Sequence, residues 1–243
     1  MRTASYWIVV FLALTSGLRA HAYCSYRDLV GPVNTPLMVA IWRGDRDAVS
    51  KLMGSTLDLK FKICSDSDKD LFTTPLINAI HGVSSRRNTG DHEGMVEFLL
   101  LHGASPNFSP QGGYTPLEAA ASLGNLNMVK ALLRYGAAID AKSKGQAPLI
   151  SAVESGHIEV VQELIAAGAD PKVRDSIGNN LVSVAADRRD EEMVKFLVQL
   201  GVDPCAKDND GNDAIYWAGM DLNENPHKQP IIDFLRSQCG RYD

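Results

Sequence analysis

Three observations in this sequence predict an all-α repeat fold, a solenoid of about six helix-turn-helix units. The first is a recurring tripeptide: Thr35-Pro36-Leu37, Thr74-Pro75-Leu76 and Thr115-Pro116-Leu117, with weaker forms at Ala147-Pro148-Leu149, Asn180-Leu181-Val182 and Asp213-Ala214-Ile215. Its steps are 39, 41, 32, 33 and 33 residues, and a fixed period of this size marks stacked supersecondary units. The second is a small residue five positions later, at Ala40, Ala79, Ala120, Ala152, Ala185 and Ala218. The third is glycine at the helix ends, Gly44, Gly124 and Gly156 after the first helix and Gly103, Gly136, Gly168 and Gly201 after the second.

Each unit follows from elementary chemistry. Proline fixes φ and lacks an N–H, so it is tolerated in the first helical turn, and the threonine before it can cap the orphan amides. A first helix therefore starts at each tripeptide. The alanine in its middle lets neighbouring helices approach closely. A second helix is written in apolar positions such as Val129, Leu132 and Leu133, or Val160, Val161, Leu164 and Ile165, which share one helical face. The glycine that follows takes the left-handed conformation that stops the helix.

Runs such as GYTPLEAAASLGNLNMVKALLRYGAAID and GQAPLISAVESGHIEVVQELIAAGADP resemble the ankyrin-repeat family, over nearly the whole chain after its first residues. The resemblance implies a curved solenoid with turn fingers and first helices lining a concave face. Units are drawn at about 30–68, 69–109, 110–141, 142–174, 175–207 and 208–243 within a repeat domain over 35–243. The first two steps are longer than the period. The surplus is expected at Thr56 to Asp70, which holds Cys64, and at Val83 to His92. The last unit lengthens at Asn223 to Pro230. Such insertions map to loops, either on the binding face or as neutral surface variation.

The first 22 residues read as a cleaved export signal: Arg2, the short apolar run Tyr6 to Leu14, and Ala20-His21-Ala22 at the cut. That run is well short of the roughly 20 apolar residues that span a bilayer. Residues 23–34 then form an entry segment. An exported, preferably periplasmic, location is the expectation, along with similarity to small bacterial periplasmic ankyrin-repeat proteins. Loss of Arg2 and Arg19 from 24 basic residues leaves 22 against 29 acidic, a net charge of −7. This disfavours nucleic acid and anionic lipid as partners, since both require clustered cations.

Four cysteines, Cys24, Cys64, Cys205 and Cys239, suit an oxidising compartment. On the repeat register, Cys24 with Cys64 and Cys205 with Cys239 would staple the two ends of the stack, at about 3 to 4 kcal/mol each. Four buried free thiols are the other reading.

Neither a nucleophile with its base, nor a phosphate loop, nor a metal-ligand spacing stands out, so no enzyme, cofactor or metal is expected. The resemblance implies instead that a protein partner meets the residues flanking the finger glycines and ending the first helices. By register these include Trp42, Arg43, His81, Tyr114, Leu123, Lys144, Glu154, Asp187, Arg188, Tyr216 and Met220, with Ser122, Gln146, Ser155, Ile177, Asn179, Asn209 and Asn212 beside them. Trp217, one position before Ala218, reads equally as core. The expected function is a monomeric, non-enzymatic scaffold for another protein. Sharper versions are an immunity protein that blocks a periplasm-acting toxin, or a secreted factor that binds a host protein.

Overall fold

A computed structural model describes residues 36–53, 63–64, 72–83, 90–109, 113–142, 146–220 and 228–240. Residues 1–35, and with them the expected signal and entry segment, Thr35 and Cys24, lie outside the described residues, as does Lys144. Twelve helices are present among the described residues. They pair as α1 (Pro36–Trp42) with α2 (Arg46–Met53), α3 (Pro75–Gly82) with α4 (His92–Leu101), and α5 (Pro116–Ser122) with α6 (Leu126–Arg134). The series continues with α7 (Pro148–Glu154) and α8 (Ile158–Ala166), α9 (Leu181–Asp187) and α10 (Glu191–Gln199), and α11 (Ala214–Gly219) and α12 (Lys228–Cys239). Two-residue strands β1 (Ile63–Cys64) and β2 (Phe72–Thr73) pair antiparallel, Ile63 opposite Thr73. The expected insertion at Thr56 to Asp70 thus contains one strand, β1, which pairs with β2 just beyond it.

The tripeptides act as expected. Thr74 Oγ1 accepts from the Ile77 amide at 3.1 Å, and Thr115 forms a reciprocal box with Glu118. Asn180 and Asp213 replace threonine and cap in the same way, whereas Ala147 has no side chain for it and α7 starts on Pro148 alone. Second helices are capped by Asp45, Asp91, Asn125 and Asp190, each accepting from the amide three residues on. Every one of these caps satisfies a donor that the helix itself cannot, at about 1 kcal/mol.

First helices end on a repeated pair of backbone bonds that forces one residue to positive φ: Gly44, Gly124 and Gly156 lie at 69°, 70° and 75°. In unit five the same place is held by Arg189 at 59°, the one non-glycine with positive φ among the described residues. A side chain at Gly124 would also collide with the His157 ring, 2.4 Å from an ideal Cβ. His157 uses that space to reach back to the Ser122 carbonyl at 3.1 Å. It is a strut between units three and four.

First helices contact one another from α1 to α11, and second helices line up behind them. All six small residues are at most 6% exposed. Between the layers runs one continuous core, from Ile41 and Val49 through Met95, Leu132, Leu164 and Leu197 to Ile231 and Leu235. Each buried Leu or Ile contributes about 1.5 to 3 kcal/mol, and a larger side chain at an alanine position would overpack by about 1 to 3 kcal/mol.

Cys205 and Cys239 form a disulfide with Cα atoms 5.6 Å apart. It ties the finger entering unit six to the end of α12. The expected pairing of Cys24 with Cys64 lies outside the described residues, through Cys24. One boundary differs from the sequence reading. Helix α12 begins at Lys228, so Pro230 belongs to its first turn, where a missing N–H costs nothing, and not to the preceding loop.

Candidate functional site

The fingers of units five and six are built from one short pattern, Asp-x-x-Gly-Asn, at Asp175 to Asn179 and Asp208 to Asn212. In the first, Asp175 Oδ1 accepts from the amides of Ile177 and Asn179 at 3.0 and 2.8 Å, and Oδ2 accepts from Asn179 Nδ2 at 3.2 Å. Asp208 does the same for Asp210 and Asn212, and also accepts from the Trp217 indole at 3.0 Å. Removal from water pushes the Asp208 carboxyl up, but the N–H groups of Asn212, Asp210 and Trp217 outweigh this and hold it below the ordinary aspartate range.

The two fingers are laced together. The Asn209 amide donates to the Ile177 carbonyl at 3.1 Å, and Arg174 Nη1 bridges the Gly178 carbonyl and the Lys207 carbonyl, the latter at 2.9 Å. Asn209 also presses on Gly178, leaving no room for a Cβ there. Of the residues expected to meet a partner, Asn179, Asn209 and Asn212 therefore hold the fingers together.

Between the unit-five finger and the ends of α7 and α9 lies a groove of about 400 Å³. Glu154, Asp187 and Arg188, all expected at a partner surface, line it together with Ser155, Ile177 and Asn179. Asp175, Val184 and Trp217 complete it. Arg188 is fixed by its Nε–H to the Glu154 carbonyl at 3.0 Å, and Gln146 Nε2 donates to Glu154 Oε1 at 2.6 Å. Burial pushes the Glu154 carboxyl above the ordinary glutamate range, against the opposing pull of Arg188; Asp175 and Asp187 add to the rise, and the Gln146 hydrogen bond lowers it. Three carboxylates thus face one guanidinium.

The other expected residues do not line this groove. Trp42, Arg43 and His81 lie at the first-helix ends of units one and two, and Tyr114 lies in the finger before α5; all four are exposed, although the surroundings of His81 still take enough water from its ring to lower its pKa. Leu123 is half-buried against the core. Tyr216 is exposed on α11, edge-on to Trp217 with ring centroids 5.6 Å apart, and Met220 is exposed just beyond. A second hollow, on the second-helix side, holds Glu93 and Glu97 already matched by Asn125, Asn127 and Arg134. Sequence reasoning missed Asp175 and Val184 in the groove. The recurrence of Asp-x-x-Gly-Asn was the available signal for Asp175.

Among the described residues there is no group of three or more His, Cys, Asp or Glu placed to hold a metal ion, and no helix long and apolar enough to cross a membrane.

Comparison with known proteins agrees with this architecture. A family model of ankyrin repeats in three copies matches residues 80–175, and one of ankyrin repeats in many copies matches 182–223, together more than half of the chain. The chain is 32% identical over 152 residues to the ankyrin repeat and KH domain-containing protein mask-1 of Caenorhabditis elegans, covering 62% of this chain and 5% of that protein. It is 31% identical over 126 residues to alpha-latrocrustotoxin-Lt1a of Latrodectus tredecimguttatus, covering 51% and 8%. Against the ankyrin repeat protein FPV014 of Fowlpox virus it is 30% identical over 117 residues, covering 48% and 26%. The chain thus spans about a quarter or less of the length of these relatives, which are eukaryotic and viral; the expected similarity to bacterial periplasmic proteins is not among them. Ankyrin-repeat proteins are generally non-enzymatic interaction modules, and the repeats supply a scaffold for protein–protein interaction. By its repeat spacing, its stacked helix pairs and these matches, the chain belongs to the ankyrin-repeat family.

Proposed function

We propose that this protein is a non-enzymatic scaffold that works in an exported, preferably periplasmic, space and holds one protein partner on its first-helix and finger face. The observation that carries the reading is the groove of units four to six. It gathers Glu154, Asp187 and Arg188 from two helix ends, beside Asp175, Ile177 and Asn179 of one finger, and specificity in repeat arrays resides in such surface residues. The location is supported by the Cys205–Cys239 disulfide, a bond that persists in oxidising compartments. The apolar run Tyr6 to Leu14 behind Arg2 agrees with it. Blocking a periplasm-acting toxin is the narrower version of this reading.

Capture from a periplasmic extract, with the intact protein as bait, tests it. A partner retained by wild type and lost on E154K or D187K supports the proposal. A partner held equally by both variants and by R188E removes the groove from the interface. Recovery of the protein from the cytosolic fraction after osmotic shock would overturn the location.

A further inference from the structure

Unit six is the least buried layer of the stack's second half. Helices α3, α5, α7 and α9 each bury six residues, whereas α11 buries only Ala214 and Ala218. Among its described residues α12 buries Ile231 and Leu235. So little apolar burial offsets poorly the entropy lost in ordering two helices, and among the described residues no further unit covers them. Closure carries its own penalty: in the finger beside unit six, Asn179 is 5% exposed with its side-chain oxygen unpaired.

The disulfide ties this layer to a fixed point. The Asp203 carbonyl accepts from Asn180 Nδ2 at 2.6 Å and the Lys207 carbonyl from Arg174 Nη1 at 2.9 Å, so the run that holds Cys205 is fastened by residues earlier in the stack. Asp203 Oδ1 accepts from the Cys205 amide at 2.9 Å. Cys239 sits at the far end of α12. Both cysteines are only half-buried, open enough for thiol–disulfide exchange. Helix α12 packs on α11, whose Trp217 is a wall of the groove and donates its indole N–H to Asp208 at 3.0 Å.

We propose that Cys205 and Cys239 form a redox latch that completes the groove only in the oxidised chain. The two thiols give two electrons and two protons to a disulfide-bearing oxidant, RS–SR. One thiolate attacks it and expels RS⁻; the second displaces the remaining RS⁻ as the Cys205–Cys239 bond forms, and each RS⁻ takes up a proton that a cysteine lost. In the dithiol chain α12 and then α11 leave the stack, and Trp217 withdraws from the groove. The partner is therefore held in an oxidising compartment and not in a reducing one. This inference rests on the reading of the groove as the partner surface and adds the condition under which that surface exists.

The test compares the full chain in dithiothreitol with the same chain reoxidised by oxidised glutathione. Hydrogen exchange and the Trp217 indole signal in nitrogen-15 NMR are read in both, with C205S/C239S as the chain that cannot close. Reduction should speed exchange in α11 and α12 about a hundredfold and shift the Trp217 indole, leave α5 to α8 protected, and reverse on reoxidation. C205S/C239S should show the open pattern under both conditions, which separates this bond from Cys24 and Cys64. A reduced chain that keeps Trp217 and α11 in place would overturn the proposal, since the bond is then a passive staple. Loss of protection throughout the stack would overturn it too, since the bond is then a general support. Capture from a periplasmic extract separates the two readings: a partner retained equally by C205S/C239S, with unit six open, refutes the groove as the interface while the exchange data still decide the latch.

Discussion

The fingers of units five and six share the pattern Asp-x-x-Gly-Asn and the same internal hydrogen bonds, and differ in what covers them. The unit-five finger has unit six beside it: Asn209 bonds to Ile177, and Trp217 reaches over to form a wall. Its Asn179 is buried. The unit-six finger has no further finger beside it among the described residues; its Asn212 remains half-open, and the disulfide Cys205–Cys239 fastens the end of the unit instead. A turn motif is thus only a turn until a neighbouring repeat closes over it and makes a groove. Terminal repeats lack that neighbour and need another constraint.

Breaking the constraint at the end should have the largest effect. Reduction, or C239S, is expected to cost about 3 to 4 kcal/mol, read by urea denaturation with and without reductant. The unit-six finger and α12 should loosen first in hydrogen exchange, with the unit-five finger following because it loses its cover. Uniform loosening of all units would contradict the local role of the bond.

The two finger glycines offer a sharper contrast. Gly178 and Gly211 lie at φ of 91° and 86°, so alanine is strained in both. Beyond that strain, a Cβ at Gly178 would meet Asn209 Oδ1 at 2.4 Å and its amide nitrogen at 2.9 Å, whereas at Gly211 nothing lies within 4 Å. G211A should cost about 1 kcal/mol from backbone conformation alone, and G178A about 2 to 3 kcal/mol. Equal losses in thermal unfolding would show that the fingers are not packed as described.

A smaller effect distinguishes the other end of the stack. His92 in unit two is 5% exposed with both ring nitrogens unpaired, and removal from water lowers its pKa against the opposing charge of Asp91. Its contribution is complete above the ordinary histidine value of about 6.5 and is lost as pH falls below that value toward the lowered one. Denaturation at pH 7 and pH 5 should show this loss in wild type and not in H92Q. Smallest is the change at Asp208, whose lowered pKa keeps the unit-six turn bonded at neutral pH and releases it only below about pH 4. NMR of the Asn212 amide across that range checks it.

Most of the stack was legible because its determinants repeat. Caps, alanines and glycines recur at fixed offsets, so one unit teaches the next, and where Ala147 or Arg189 departs from the pattern the neighbours still hold the backbone in place. The same register named Glu154, Asp187 and Arg188, which the fold brings together at one groove. Leu123 was harder, since the place it occupies is exposed in some units and rests on the core in its own. The unpaired oxygen of Asn179 was not legible at all. It depends on which later residues close over the finger, a fact of three-dimensional cover that no spacing encodes. Pro230 was misplaced because proline tolerates both a loop and a first helical turn.

The claim that the partner sits over units four to six is tested most directly by placing a photo-crosslinker in turn at Trp42, Tyr114 and Ile177, three exposed positions along the same face. Capture is expected to be strongest at Ile177 and abolished by D187K. Capture that is strongest at Trp42 and indifferent to D187K would contradict it.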